Sequence, residues 1–458
     1  MDGHIAVELA VIGFGKGGKT LAGAFAAAGR QVAIVEQSAA MYGGTCINIG
    51  CVPTKALIHA AENPDRSMSD EDWFRASATR TQMLTATMRA KNFEIFDSPD
   101  TARVITGRAE FEDPHTLLVT AGDDELRLRA ETIVINTGAE PVLPPLPGLR
   151  ESARVVTSTG ALALAERPEH LIVLGGGYVG VEFASMHAAF GTRVTLVHRG
   201  ERVLPAEDPS TSAEVEQLLA DAGVAVRTNT TVTAVEDDDE GVRVIARAAD
   251  GATVEIAGDR VLAALGRRPV TAGLGLERVG IAVGERGEVV VDDRLRTGLE
   301  HVYAVGDVHG GPQFTYLSLD DFRIVRDQLL GAGTRRVSDR VAVPTVVFTT
   351  PPLARVGLTE SAARAAGRAV RTSTRRIAEM ATVPRAKMTD ARGVMSAVVD
   401  AETDELLGLT MLGHDSHEVI NAVAVGMRLG ATASQLRDGI YTHPSMTEAL
   451  NDVLAHLN

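Results

Sequence analysis

Apolar and polar positions follow a repeated order near the start of the chain. The apolar run Val7 to Ile12 predicts a buried strand. It is followed by a glycine-rich turn, small helix-compatible residues from Thr20 to Ala28, and a second apolar run, Val32 to Val35. The same order returns at 171–198. Strand, glycine-rich turn, helix and strand make a βαβ unit, so the repetition predicts an α/β fold with two Rossmann-like dinucleotide-binding domains.

Outside the two βαβ units, the pattern of apolar and polar positions predicts further helices, strands and domain boundaries. Residues 62–96 predict a polar loop followed by an amphipathic helix, and residues 224–264 predict a series of strands. Four prolines between Pro141 and Pro147 indicate a domain boundary. After about Val341 the glycine-rich motifs stop, and the mixture of strand and helix patterns predicts a separate α+β domain.

Charge and hydropathy exclude several classes of partner. The 458 residues carry a net charge of −15 without a long basic tract, which argues against nucleic acid and anionic membranes as partners. No apolar run reaches the roughly 18 residues of a membrane helix. The first residues lack the basic region of a signal peptide, so we expect a cytoplasmic protein. The acidic run 237–240 is expected at a solvated turn, since it lacks the spacing of a calcium loop.

The first glycine-rich turn has the pattern of a dinucleotide-binding loop. Gly13, Gly15 and Gly18 fit G-x-G-x-x-G between a strand and a helix, where they permit a tight turn, close approach of a pyrophosphate and close helix packing. Glu36 ends the second strand, where an acid would hold ribose hydroxyls. Together these features predict a bound dinucleotide.

The second glycine-rich turn repeats the pattern with a different ending. Gly175, Gly177 and Gly180 again fit the motif, but His198 and Arg199 stand where the acid would be expected. These side chains would attract a 2′-phosphate, which favours NADPH over NADH. Alternatively, Arg199 belongs to a solvated loop.

The chain has only two cysteines, Cys46 and Cys51. Two close cysteines in a large protein indicate chemistry or a metal, although two buried thiols are an alternative. Zinc is disfavoured because no further cysteine could complete its ligands. Residues five apart on a straight helix are too far apart for a disulfide, so a bridge requires a distorted helix start, which Gly50 and Pro53 could supply. Lys55 shares a helix face with Cys51.

The segment Gly43-Gly-Thr-Cys46-Ile-Asn-Ile-Gly-Cys51-Val-Pro-Thr-Lys55 resembles the active-site signature of the class I pyridine nucleotide–disulfide oxidoreductases. Two further segments resemble that family's motifs: Tyr303-Ala-Val-Gly306-Asp307, which would contact FAD, and Thr442-His443-Pro-Ser-Met-Thr-Glu448. The resemblance implies an FAD- and NAD(P)H-dependent oxidoreductase with a redox-active Cys46–Cys51 disulfide. It also implies an ion pair of Lys55 and Glu182 near the flavin, Tyr178 covering the flavin, and cofactor contacts at Gly44, Thr45, Thr137, Gly138, Gly266, Gly306 and Asp307.

The same resemblance assigns roles to the reacting groups. Cys51 would face the flavin and form the charge-transfer complex, and Cys46 would be the exposed thiol that attacks the substrate. His443 would act as acid–base catalyst at the disulfide of the other subunit of a homodimer, oriented by Glu448. Glu448 also fits a capping box that begins at Ser445, and the two roles are compatible.

The resemblance further implies four segments. These are an FAD domain over 1–147 and 271–340, an NAD(P) domain over 148–270, and a dimerisation domain over 341–458.

Several stretches narrow the expected subfamily, among them Ala40-Met-Tyr-Gly-Gly-Thr-Cys46 and Gln313-Phe-Thr-Tyr-Leu-Ser-Leu-Asp-Asp321. They resemble the reactive-chlorine-resistance flavoproteins, which are described as hypothiocyanous acid reductases with some copper(II) reductase activity. Dihydrolipoamide dehydrogenase or another reductase of small disulfides is an alternative. A terminal cysteine pair typical of mercuric reductases is absent.

A copper-binding redox module is an alternative of another class. His414 and His417 could share a helix face, but partly exposed polar residues are the favoured interpretation, and no resident metal is predicted.

Overall fold

The chain is described from a computed structural model that covers residues 3–97, 100–388 and 390–458. It contains two main sheets flanked by helices, two small antiparallel sheets and a five-stranded antiparallel sheet near the C-terminus. The α/β class and both predicted βαβ units are confirmed. Within the described ranges, no helix is long and apolar enough to cross a membrane.

The first main sheet is built from the N-terminal third of the chain. Its strand order is β3-β2-β1-β6-β5-β4, with β1, β2, β3 and β6 parallel and β4 and β5 antiparallel to their neighbours. The elements are β1 (Gly3–Ile12), α1 (Lys16–Ala27), β2 (Val32–Glu36), α2 (Thr45–Asn48), α3 (Cys51–Glu62), α4 (Asp70–Asp97), β3 (Ala102–Thr106), β4 (Arg108–Asp113), β5 (Thr116–Ala121) and β6 (Asp124–Ile135).

Helix α1 begins at Lys16, four residues before the predicted start at Thr20. The prediction was wrong because the glycines were assigned to the turn, whereas Gly17 and Gly18 lie buried in the first helical turn. A Cβ on Gly18 would lie 2.5 Å from Val11 of β1, so close packing of helix on strand requires glycine here.

The second main sheet follows the proline-rich segment and is wholly parallel, with order β11-β10-β9-β15-β8. Strands β12, β13 and β14 form a separate antiparallel sheet. The elements are β7 (Ala139–Pro141), β8 (Val155–Val156), α5 (Ser158–Leu162), β9 (His170–Leu174), α6 (Tyr178–Ala189), β10 (Arg193–Val197), α7 (Pro209–Asp221), β11 (Ala225–Arg227), β12 (Thr231–Asp237), β13 (Val242–Arg247), β14 (Thr253–Gly258), β15 (Arg260–Ala263) and β16 (Arg267–Pro269).

Strand β16 pairs with β7, and the next strand returns the chain to the first sheet, where it pairs with β6. The C-terminal sheet has the order β18-β19-β22-β21-β20. The elements are β17 (Val302–Ala304), α8 (Thr315–Leu330), β18 (Thr345–Val347), β19 (Leu353–Gly357), α9 (Glu360–Ala365), β20 (Val370–Arg376), β21 (Val394–Asp400), β22 (Leu406–Leu412), α10 (Ser416–Arg428), α11 (Ala433–Arg437) and α12 (Ala449–Val453).

One hydrophobic core joins the parts that surround the cysteines. It includes Leu57 of α3, Val181 of α6 and Val347 of β18, all at most 2% exposed. Burial of these side chains holds helix α3, which begins with Cys51, against the second main sheet and the C-terminal sheet. The predicted domain boundaries at 147, 270 and 340 stay predictions.

The acidic run lies at the tight turn between β12 and β13, as expected. Asp238 Oδ1 accepts hydrogen bonds from the backbone amides of Glu240 and Gly241, at 3.0 and 2.7 Å.

Candidate active site

The two cysteines lie on two different helices that meet at a break in the backbone. Cys46 belongs to the short helix α2, and Cys51 begins α3. Gly50 supplies the break with φ −134° and ψ −120°. Pro53, predicted to contribute, instead continues α3, because the first helical turn does not need its missing amide hydrogen. The break brings the two thiols within hydrogen-bonding contact.

The exposure of the thiols differs from the expectation for this single chain. Cys46 is half-buried and Cys51 is exposed, although Cys46 was predicted to be the exposed thiol. Helix α2 packs against α3 and α4, and this packing covers Cys46. Cys51 is the first residue of α3 and its side chain is exposed.

The acidities of the two thiols diverge. The pKa of Cys46 is lowered to about 6, first by its hydrogen bond with Cys51 and then, against the effect of burial, by Thr315 and the charge of Lys19. The pKa of Cys51 is raised first by the same hydrogen bond and also by the charge on Cys46. Thr315 Oγ1 lies 3.3 Å from Cys51 Sγ. These contacts favour the thiolate at Cys46, and the thiolate is the nucleophilic form of cysteine.

Lys55 and Glu182 form the predicted ion pair, with Nζ 2.7 Å from Oε2. The other carboxylate oxygen of Glu182 accepts a hydrogen bond of 2.8 Å from the Phe348 amide. The Lys55 ammonium also lies 4.5 Å from the centre of the Phe348 ring. One charged pair thus connects the redox helix, the second nucleotide-binding unit and the C-terminal region.

The first glycine-rich loop has the geometry that a pyrophosphate requires. The N-cap residue of α1 is Gly15, which has no side chain to occupy the positive end of the helix dipole. Gly13 has φ +96°, and a Cβ there would lie 2.4 Å from the Asn136 carbonyl oxygen. Glu36 is buried at the end of β2 and accepts hydrogen bonds from the amides of Phe14 and Ser38. Burial raises the pKa of Glu36.

The cysteine loop lies directly against the first glycine-rich loop. Gly44 has φ +84°, and a Cβ on it would lie 2.6 Å from Gly15 Cα. Thr45 begins α2 immediately afterwards. A dinucleotide on the α1 N-terminus would therefore reach the thiols.

The second glycine-rich loop is also open at its helix start. Helix α6 has no side-chain cap at Gly177, and a Cβ on Gly177 would meet nothing within 4 Å. Gly175 has φ +114°, and a Cβ on Gly180 would lie 1.9 Å from the Gly175 carbonyl oxygen. These contacts show why both positions are glycine, and the free space at Gly177 fits a phosphate.

His198 and Arg199 lie beside this loop but in different environments. His198 Nδ1 accepts a hydrogen bond of 3.1 Å from the Gly176 amide, so the ring braces the loop in its neutral form. Burial, followed by the charge of Arg199, lowers the pKa of His198. Arg199 is exposed. Of the predicted pair, Arg199 alone is thus a permanent charge available to a 2′-phosphate.

A third set of predicted cofactor residues lies where β17 returns to the first sheet. Asp307 is half-buried after Gly306, and burial raises its pKa while Arg267 opposes that effect. Thr137 Oγ1 donates to the Val270 carbonyl at 2.6 Å. Gly138 and Gly266 have φ +73° and +119°, and a Cβ on Gly266 would meet nothing within 4 Å.

Tyr178 begins α6 and belongs to a row of aromatic rings. Its ring centre lies 6.4 Å from that of Phe314, which stacks on Tyr316 at 5.1 Å. The Tyr178 hydroxyl lies 3.5 Å from Glu207, a buried acid that Arg355 of β19 binds at 2.9 Å. The row runs towards Cys51 through the neighbouring Thr315.

The C-terminal motif holds its own histidine and acid together. His443 Nδ1 lies 3.0 Å from Glu448 Oε2, which also accepts the Ser445 amide at 3.1 Å. Glu448 therefore both orients the ring and caps the short turn before α12. The His443 side chain is 80% exposed. In the described part of this single chain, no hydrogen bond links His443 to either thiol.

Four residues that serve the site carried no recognised role in the sequence. Asn136 accepts the Gly18 amide and donates to the Val305 carbonyl, which joins the two parts of the first nucleotide-binding unit. Asp321 accepts the Gly306 amide at 2.7 Å. The others are Thr315 and Lys19. The residues that these four contact lie far away in sequence. Two of the four, Thr315 and Asp321, do lie in the segment 313–321 that was quoted for the subfamily.

The histidines considered for copper do not share a helix face. Helix α10 begins at Ser416, so His414 precedes it and only His417 is helical. Across the described ranges, no cluster of three or more histidine, cysteine, aspartate or glutamate side chains could hold a metal ion.

Comparisons with known proteins find similar sequences over almost the whole chain. A family model described as pyridine nucleotide-disulphide oxidoreductase matches residues 7–321, and the dimerisation-domain model of that family matches residues 343–454. The probable pyridine nucleotide-disulfide oxidoreductase RclA of Escherichia coli strain K12 is 47% identical over 98% of each chain. A mercuric reductase of Streptomyces lividans is 37% identical over 98% of this chain and 96% of its own.

Solved structures with a similar fold include two of one flavoprotein disulfide reductase. The Cu(II) complex of the HOCl-induced flavoprotein disulfide reductase RclA from Escherichia coli has a TM-score of 0.93 and 46% identity, over 98% of this chain and 99% of that one. A structure of that protein described without copper has a TM-score of 0.91.

Proposed function

Because the chain belongs to the pyridine nucleotide-disulphide oxidoreductases, we propose that it uses NADPH and FAD to reduce a Cys46–Cys51 disulfide and that the dithiol reduces hypothiocyanous acid to thiocyanate. The observation that carries this proposal is that Cys46 and Cys51 meet at the break between α2 and α3, against the first glycine-rich loop, and Cys46 is the thiol with the lowered pKa. A thiolate at neutral pH attacks a small electrophilic sulfur without an extended pocket. The similarity to an HOCl-induced reductase supports an oxidant as substrate.

The residues of the first unit fit FAD. The uncapped α1 N-terminus would hold the pyrophosphate, Glu36 the ribose, and Asp307 the ribityl chain. The exposed surface of Cys51 leaves room for the flavin ring. When bound, FAD would supply the two-electron step between nicotinamide and disulfide.

The second unit would hold the nicotinamide cofactor on the α6 N-terminus. We propose that NADPH is favoured because Arg199 attracts the 2′-phosphate, while His198 supports the loop. Tyr178 would cover the flavin until the nicotinamide enters. The Lys55–Glu182 pair would place a fixed charge beside the reacting ring.

The thiol chemistry balances in two steps. The Cys46 thiolate attacks the sulfur of hypothiocyanous acid, which forms a sulfur–sulfur bond and breaks the sulfur–oxygen bond. His443 protonates the departing hydroxide to water. Cys51 gives its proton to His443, which the first step left neutral, and attacks Cys46 Sγ. The bond from Cys46 to the thiocyanate sulfur breaks, thiocyanate leaves and the disulfide is restored. The dithiol thereby loses two electrons, which hypothiocyanous acid accepts.

The exposed His443 requires a second copy of the chain in this scheme. We propose a homodimer in which His443 of one chain reaches the thiols of the other, with Glu448 holding the ring. The match to a dimerisation domain and the 80% exposure of the His443 side chain support this arrangement. Mixing inactive Cys46→Ser and His443→Gln chains should restore about one half of wild-type activity per hybrid dimer, because each hybrid contains one intact site, and therefore about one quarter in an equal mixture whose chains exchange at random.

Copper(II) is a second candidate substrate, since solved structures of a similar protein are described as Cu(II) complexes. The two thiols are the soft ligands that could receive it. Dihydrolipoamide is the alternative, given that a dihydrolipoyl dehydrogenase of Thermus scotoductus is 34% identical over 98% of this chain.

The deciding experiment offers hypothiocyanous acid, lipoamide, oxidised glutathione and Cu(II) separately to the purified holoenzyme with NADPH or NADH. Turnover of hypothiocyanous acid at least about a hundredfold more efficient than the other three, and lost in Cys46→Ser, is the expected result. Faster turnover of lipoamide would refute the proposed substrate and leave the disulfide chemistry intact.

A further inference from the structure

Lys19 is a half-buried cation next to the redox loop, and no carboxylate pairs with it among the residues that the structure describes. Its ammonium donates to the Gly43 carbonyl at 2.9 Å and to Asn92 Oδ1 at 2.6 Å. Burying a charge without a counter-charge is costly. The uncompensated charge therefore calls for an explanation beyond folding.

The hydrogen bonds hold this ammonium at the loop that precedes Cys46. Gly43 lies three residues before Cys46, and Asn92 projects from α4 to the same point. An ammonium has three hydrogens, and these two bonds use two of them. One donor thus stays available on a side chain that cannot move freely.

The charges around Lys19 favour an anion. Lys16, one helical turn earlier on α1, adds a second positive charge, and the charge on Cys46 is the only opposing one that acts on Lys19 among the described residues. That opposing charge disappears whenever Cys46 forms a bond to sulfur. At that stage of a reaction cycle the thiolate no longer opposes the charges of Lys16 and Lys19.

We propose that Lys19 is the anion-recognising residue of the thiol cleft, where its ammonium binds the small monovalent anion that reaches or leaves the Cys46 sulfur. Under the proposed function, on which this inference rests, that anion is thiocyanate. When Cys51 attacks Cys46 Sγ and the bond to the thiocyanate sulfur breaks, the electron pair leaves with thiocyanate beside a fixed positive charge. A neutral disulfide substrate gains nothing from this group, so Lys19 would favour small anionic leaving groups over extended neutral ones.

The test uses two alkylating agents that differ in charge. Cys46 of the reduced holoenzyme is alkylated with anionic iodoacetate and with neutral iodoacetamide, and the ratio of the two rate constants is measured. Lys19→Met should lower the ratio by roughly threefold to tenfold, whereas Lys19→Arg should retain most of it. Lys91→Met is the matched control, because it removes the same charge from the exposed surface of α4.

Two further readouts separate this inference from the proposed function. The inhibition constant for thiocyanate should rise roughly threefold to tenfold in Lys19→Met and stay unchanged in Lys91→Met. An unchanged alkylation ratio in Lys19→Met would overturn the inference. A lowered ratio in an enzyme that does not turn over hypothiocyanous acid would support the anion site and refute the substrate.

If Lys19→Met does not retain FAD, the same alkylation ratio is measured on the wild-type protein at different ionic strengths. The iodoacetate advantage should fall as ionic strength increases from about 0.01 to 0.5 M, since the Debye length shortens from roughly 30 Å to a few ångströms. A ratio independent of salt would contradict the role of Lys19.

Discussion

The Lys55 ammonium lies 2.7 Å from the Glu182 carboxylate, although the two residues are 127 positions apart. The first belongs to the helix that starts with Cys51, and the second to the helix that starts with Tyr178. Their contact therefore joins the thiol site to the proposed nicotinamide site. Glu182 accepts a second hydrogen bond from Phe348, which fixes its orientation.

Removing one partner of this pair should slow electron entry. Lys55→Met leaves the Glu182 carboxylate without its cation, and we expect NADPH to reduce the flavin about tenfold more slowly. Anaerobic stopped-flow absorbance measures this rate, and Lys55→Arg should recover part of it. A normal rate in Lys55→Met would assign the pair to structure alone.

The acidity of Cys46 should depend on Cys51. The wild-type alkylation rate of Cys46 is expected to rise through pH 6 and level off above it, because the thiolate is the reactive form. Cys51→Ala removes the largest cause of the lowered pKa. The midpoint should then move towards the ordinary value of about 8.5, and alkylation at pH 7 should slow by roughly tenfold. Mass spectrometry of iodoacetamide-treated protein gives both profiles, and coincident profiles would contradict this assignment.

Cofactor preference should depend on Arg199. Reversal of its charge in Arg199→Glu is expected to raise the KM for NADPH by roughly tenfold while that for NADH changes little, since only NADPH has a 2′-phosphate. Steady-state kinetics with both cofactors measures the difference. Arg66→Glu, in the exposed segment between α3 and α4, is the control for net charge. Equal effects on both cofactors would show that Arg199 does not contact the 2′-phosphate.

His187 should make the fold sensitive to acid. The side chain is fully buried in α6, and its two ring nitrogens have no hydrogen-bond partner within the described residues. Burial, aided by the charge of Arg167, lowers its pKa to about 4. Because the folded pKa lies below the ordinary 6.5, its contribution to stability is complete above pH 6.5 and is lost as the pH falls towards 4.

His187→Leu should therefore reduce the loss of stability between pH 6.5 and 4, and at pH 7 it should stabilise the protein by about 1–3 kcal/mol through removal of unsatisfied polar atoms. Urea unfolding at several pH values measures both effects. His59→Leu, on an exposed position, should change neither. An acid dependence that is identical in wild type and His187→Leu would exclude this histidine as the cause.

Local patterns were sufficient to predict much of the fold. Both βαβ units follow from apolar runs and glycine spacing, because a buried parallel strand needs consecutive apolar residues and a phosphate-binding turn needs glycines at fixed separations. The start of α1 was misplaced because glycine indicates a turn in sequence, whereas Gly17 and Gly18 serve close packing. His414 and His417, considered only as an alternative copper site, do not share a helix face because α10 begins between them.

The sequence by itself determined the α/β class, the two cysteines and the predicted partners Lys55 and Glu182, since motif residues keep their spacing along the chain. Only the tertiary structure decided which groups act on the thiols. Three separate helices contribute side chains to the surroundings of the cysteines, namely Lys19, Asn92 and Thr315. His198 supports the second glycine-rich loop and does not supply a charge there. Such contacts depend on how the helices pack against the sheet. The charge and burial around a side chain are set by residues that are distant in sequence, so the neighbouring residues in the chain do not reveal them.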